Sequence, residues 1–156
     1  MLKKMLKNER GLTLIELLAV VVILGIIAAI AVPAIGGLID NSKKDAHVAN
    51  AQTMVNSAKL AATTDPTLQS GTKVLTLGYL ENGKFVDDFS DPDKTSGEYA
   101  KGGTTILTAE PTTPASYVVL VNGKPSKVKL VNDIRGVKAA NGAAISTSDI
   151  TRNNVN

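Results

Sequence analysis

The chain has 156 residues, 44% of them apolar, which is enough for one compact domain plus a long apolar segment but not for two full-sized domains. It has no cysteine and one histidine, His47, which excludes disulfide frameworks, thiolate metal sites and cysteine nucleophiles and argues against an ordinary zinc site or a histidine triad. The net charge of +3 lies wholly in residues 1–11, where Lys3, Lys4, Lys7 and Arg10 stand against Glu9, so overall charge gives no argument for nucleic-acid binding by the balanced remainder.

Residues 17–39 contain no charged side chain. At about 1.5 Å per residue a helix of that length crosses a hydrocarbon core of roughly 30 Å. The rival reading is a secretory signal. Its apolar region would run only about 7–15 residues, and the best small-residue cleavage pattern here, Ala29-Ile30-Ala31, lies deep inside the stretch. A retained membrane helix fits better. The basic flank then puts the N-terminus in the cytoplasm and everything after Asp40 outside the membrane.

Beyond Asp40 the apolar residues Val48, Ala51, Met54 or Val55, Ala58 and Ala61 or Ala62 recur at steps of three and four, with mostly polar residues between them. This spacing predicts that the helix continues as an amphipathic one. Pro66 ends it, because the residue before a proline is pushed out of the α region. The predicted helix therefore covers about residues 12–63. Pro33 lies inside it, with Gly25 behind and Gly36 and Gly37 ahead. Each weakens the hydrogen-bond ladder locally, which predicts a bend or a meltable segment near Pro33.

After Pro66 the pattern changes to short strands: residues 73–80 (KVLTLGYL), 104–108 (TTILT), 116–121 (SYVVLV) and 126–131 (SKVKLV). Asn122-Gly123 between the last two is a hairpin signal, since both residues tolerate positive φ. A small antiparallel sheet of three or four strands laid on Val48, Met54 and Val55 gives an α+β fold. The final stretch, from Ala139 onward, fits a loose tail or a late edge strand equally well.

Several clusters carry chemistry. Asp87, Asp88, Asp91, Asp93 and Glu98 gather enough hard oxygens for calcium, but Ser96 and Gly102 break the EF-hand pattern, so a solvated acidic turn is the plainer expectation. His47 is expected as an exposed group on a polar helix face. Lys124, Lys127, Lys129, Arg135 and Lys138 form a modest basic cluster, weak as a DNA interface without interleaved aromatics. The five aromatic residues all lie outside the long helix. Glu16, at the mouth of the apolar run, costs about 2.5–3.5 kcal/mol if carried near a bilayer centre, less toward an interface, and needs a partner or a surface.

The stretch from Lys7 through Pro33, with Gly11, Glu16 and Pro33 at fixed spacing, resembles the N-terminal region of type IV prepilins and their pseudopilin relatives. The resemblance covers residues 7–35. It implies a leader, residues 1–11, removed after Gly11 by a prepilin peptidase that also N-methylates the new first residue, Leu12. Leucine stands where phenylalanine or methionine is usual. It further implies a filament-core segment, residues 12–39, and an extracytoplasmic globular part, residues 40–156. On this resemblance Glu16 of an incoming subunit neutralises the α-amino group of Leu12 on a neighbour, and Gly25, Pro33, Gly36 and Gly37 mark the segment that unwinds. The implied partners are further copies of the chain in a helical filament, an assembly platform protein and minor pilins, with the membrane as host before assembly. No catalysis and no cofactor are implied, apart from the calcium that an acidic loop holds in some secretion pseudopilins, here matched loosely by Asp87, Asp88, Asp91 and Asp93. A pilus, a DNA-uptake pseudopilin and a secretion pseudopilin all fit. From another class, a monomeric membrane-anchored binding protein predicts an uncut N-terminus and no polymer.

Overall fold

The computed structural model describes residues 13–93 and 98–156 in full and, for residues 2–12, the backbone alone. It divides into two compact units, Met1–Asp40 and Asn41–Asn156, each taken by itself below. A single helix, α1 (Leu2–Thr64), supplies the first unit and enters the second. Within the second unit follow β1 (Thr72–Thr76), α2 (Leu77–Asn82), β2 (Tyr117–Val121), β3 (Lys124–Val131), β4 (Gly136–Val137) and β5 (Ile145–Ser146).

The C-terminal part of α1 buries a stripe of Ala51, Met54, Val55, Ala58, Ala61 and Ala62. The alanines keep the helix backbone near the sheet, and Met54 fills the space between them. Asp65 terminates the helix as Pro66 requires, with extended φ −114° and ψ 107°. Its carboxylate accepts a hydrogen bond from the Thr67 amide at 2.9 Å, capping a short 3₁₀ turn, Pro66–Gln69.

The antiparallel sheet has five strands in the order β1-β2-β3-β4, with β5 also on β3. The long helix on this small antiparallel sheet is an α+β fold of the pilin type. Val118, Leu120, Val128 and Leu130 face α1 in the main core, joined by Leu75, Leu77, Leu80, Val137, Ile145 and Val155. Alternate residues point the other way. There Val74, Ala115, Tyr117 and Val119 form a second, smaller core with Leu107 and Ala144. The hairpin between β2 and β3 turns at Asn122 and Gly123, both at positive φ (49° and 76°), the backbone that an Asn-Gly pair adopts readily. A register shift between Val119 and Leu120 leaves Ser126 as the extra residue.

Three expectations are corrected. Residues 73–80 are not one strand: β1 stops at Thr76, whose hydroxyl accepts from the Tyr79 amide at 3.1 Å and starts α2. Leu77 and Leu80 then reach the core at helical spacing, which imitates alternation over so short a run. Residues 104–108 give no strand, only an isolated bridge from Leu107 to Val74. The sheet also exceeds four strands, because the C-terminal stretch is built in. It contributes β5, a bridge from Val155 to Val137, and paired bonds between Gly136 and Asn156 at 2.9 and 3.0 Å.

Candidate functional site

Two regions carry the functional residues. The first is the apolar part of α1. Its sixteen large apolar side chains, Leu14 through Ile39, are each between 52% and 71% exposed, so nothing in the first unit covers them on any side. Glu16 stands exposed among Leu14, Ile15, Leu17 and Leu18. Pro33 lies inside the helix. At Gly25, Gly36 and Gly37 an added Cβ would meet nothing within 4 Å, so no packing within the chain calls for glycine there. The expected cleavage site, Gly11 and Leu12, lies outside the described side chains.

The second region is a buried polar cluster where the C-terminal part of α1 meets the acidic loop. His47, expected at the surface, is completely buried. The reason is geometric: residues 47, 51, 54 and 58 follow one another at steps of four, three and four, so His47 is the first member of the core stripe. Its Nε2 lies 3.0 Å from Asp93 Oδ2 and its Nδ1 lies 2.7 Å from the Tyr99 hydroxyl. In the neutral tautomer that satisfies both partners, Nε2–H donates to Asp93 and Nδ1 accepts from Tyr99. The Tyr99 oxygen in turn accepts from Asn50 Nδ2 at 3.1 Å, and Asn50 Nδ2 also reaches the Ser90 carbonyl at 3.2 Å. Tyr99 meets His47 and Phe89 edge-on.

Asp93 is the hub. Besides His47, its Oδ2 accepts from Arg135 Nε at 3.0 Å and from Asn132 Nδ2 at 3.3 Å, while Lys43 Nζ sits 3.6 Å from its Oδ1. Burial alone would raise its pKa, but the bonds from His47 and Asn132 and the Arg135 charge outweigh burial and hold the carboxyl below the usual aspartate range. Asn132 also donates to both oxygens of Asp91, at 2.8 and 2.9 Å, and its own oxygen accepts the amides of Ile134 and Arg135. Sequence reasoning passed over Asn50, Asn132 and Tyr99, whose partners are distant in the chain.

The four aspartates expected to act together are split. Asp91 and Asp93 join His47, with ligand atoms within 4.8 Å of one another. Asp87 and Asp88 are exposed, and Asp88 pairs with Lys101 at 2.7 Å. Lys101 also meets Glu81 at 3.1 Å and Glu98 at 3.2 Å, and these hydrogen bonds, led by the one it donates to Asp88, hold its ammonium charged far above the usual lysine range. Ser96, which breaks the EF-hand pattern, lies outside the described residues. His47, Asp91 and Asp93 could offer three donors to a metal. However, Lys43 and Arg135 already balance the two carboxylates, so a dication would bring a net positive charge into a buried place. The arrangement is a charge-balanced latch between α1, the loop at 87–93, Tyr99 and the loop at 132–135.

The fold is thus pilin-like: an uncovered apolar helix, and a globular unit whose own part of α1 is tied to its loops by buried polar contacts. Residues 6–32 match the prokaryotic N-terminal methylation motif, the signature of type IV pilins and pseudopilins. No curated protein and no solved structure matches the chain.

Proposed function

We propose that the chain is the structural subunit of a type IV pilus-like filament. Prepilin peptidase cuts the precursor after Gly11 and methylates Leu12. Residues 12–39 hold the product in the cytoplasmic membrane, with the globular part outside, until it polymerises at the cell surface. The observation that carries this reading is the methylation motif on a helix whose apolar surface is uncovered all round. Such a surface needs either lipid or the like surface of other copies.

Glu16 supplies the direction of exchange. In lipid its charge is costly, and the Leu12 ammonium of a neighbouring copy offsets that cost when both enter a bundle of low dielectric. Gly25, Pro33, Gly36 and Gly37 loosen the ladder where the helix is free of other packing within its unit, which suits a segment that melts as the bundle forms. An assembly platform protein and minor pilins are the partners this reading requires. The role is structural, without catalysis.

Intact mass with N-terminal fragmentation, on protein sheared from cells, tests the reading. A chain beginning at N-methyl-Leu12 is expected. An intact Met1 retained in the membrane would replace the filament by a monomeric anchored binding protein. Deletion separates a surface pilus from the pseudopilins of DNA uptake and enzyme export, through loss of filaments, of uptake or of secretion.

A further inference from the structure

On the sheet face turned away from α1 there is a cavity of about 300 Å³, bounded by residues 111–114, Lys129, Val131 and Lys138. Its floor has an unusual charge arrangement. β4 ends at Val137, paired with Leu130, so Lys129 and Lys138 each lie one residue beyond that last pair, and both line the cavity. Leu130 and Val137 both point into the main core, so by alternation the two lysines share the opposite face. Two like charges on one concavity repel each other.

Both lysines are half-buried, and among the described residues neither ammonium has an ion-pair or hydrogen-bond partner. Their neighbours are treated differently. Lys127 pairs with Glu110 at 3.6 Å, and the other Glu110 oxygen accepts from the Tyr117 hydroxyl at 2.7 Å, so the carboxylate that precedes Pro111 in the chain is already engaged. Among the described residues no acidic side chain lines the cavity. Two uncompensated cations thus line a concavity whose other walls are the prolines Pro111 and Pro114, Val131, Asn132, Gly142, and the exposed Thr112 and Thr113.

We infer that this cavity binds a compact anionic saccharide, a single sugar residue carrying a carboxylate. The acid supplies the charge that the two lysines lack. The threonine hydroxyls face sugar hydroxyls, and the prolines with Val131 offer flat apolar surface to the ring. The volume lies at the lower limit of ligand pockets, which suits one sugar unit rather than a long chain buried end to end. The inference concerns the single subunit, and neither processing nor polymerisation enters it.

The test is a calorimetric titration of the full-length chain in detergent micelles with D-glucuronate, D-glucose and inorganic phosphate. Saturable glucuronate binding is expected, with glucose weaker by about tenfold or more, since it lacks the charge-assisted bonds. Lys129→Gln and Lys138→Gln should each weaken glucuronate on the order of tenfold, while Lys124→Gln, beside the hairpin turn, leaves it unchanged. At one glucuronate concentration the ligand should raise the melting midpoint of the parent, and raise that of either glutamine variant by less. Absence of saturable binding, or binding indifferent to Lys129→Gln and Lys138→Gln, overturns the inference. Phosphate binding as tight as glucuronate binding would reduce the cavity to an anion site and overturn the saccharide assignment.

Discussion

Tyr99→Phe removes one oxygen from the middle of the latch and keeps the ring. The lost hydroxyl donates to His47 Nδ1 at 2.7 Å and accepts from Asn50 Nδ2 at 3.1 Å. Asn50 retains the Ser90 carbonyl, whereas the buried His47 Nδ1 is left without a partner. Leaving one buried polar atom unsatisfied costs about 1–3 kcal/mol. The edge-on contacts of the ring with His47 and Phe89 persist, so no cavity term is added. A loss of about 2 kcal/mol follows, or roughly 8 °C in the melting midpoint of a unit of this size. Hydrogen exchange followed by mass spectrometry on the full chain in detergent measures it, read on peptides from α1 after His47 and from β2 and β3. An opening free energy within about 0.5 kcal/mol of the parent, the usual effect of a neutral surface change, would refute the assignment of the latch as the tie between helix and loop.

Glu16→Ala should leave cleavage and methylation largely intact and abolish entry into filaments, and parental filament yield from sheared cells would sink the charge-pairing account. Because the folded Asp93 carboxyl is held below its ordinary range, its contribution is fully present above roughly pH 4 and is lost as the pH falls through the lower folded value. Thermal melts should therefore fall steeply below about pH 4 in the parent and more gently in Asp93→Asn. A Cβ at Gly136 would collide with the Leu130 carbonyl oxygen and sit 2.7 Å from Val131 Cα, both backbone atoms that cannot yield. Gly136→Ala should accordingly cost about 2 kcal/mol or more and speed amide exchange at Asn156. Calcium or a chelator should leave the melting midpoint unchanged, since Lys43 and Arg135 already neutralise the latch carboxylates.

Local chemistry in the chain announces much of the fold. The stripe from Ala51 to Ala62, the stop before Pro66 and the Asn122-Gly123 turn each rest on neighbouring residues, and each stands where expected. The role expected of Glu16 also rests on local spacing, its distance from Gly11 and from the apolar run, and the filament assay decides it. His47 is misleading although the periodicity that buries it is visible, for a polar residue at a core position makes sense only with Tyr99 and Asp93 beside it, far along the chain. The acidic stretch misleads for the same reason. Composition does not say that Asp91 and Asp93 turn inward to Asn132 while Asp88 turns outward to Lys101. The capping role of Thr76 is available at positions 76–81 but is masked by alternating leucines. The C-terminal stretch is indeterminate because Ile145 and Ser146 pair with Val128 and Lys127, and Asn156 with Gly136, all of them non-local partners, and two-residue strands leave no period to detect.

Val155 packs in the same core as Ala51, Met54 and Ala58. Synthesis therefore separates the two sides of that core by roughly a hundred residues, and at about 5–20 residues per second the helix face waits some 5–20 s for its last cover. On the proposed reading, a membrane already holds the preceding residues during that interval, and the emerging chain has lipid within reach before it has its own sheet. The rate of translocation, as much as final stability, would then govern how much of it reaches the folded form.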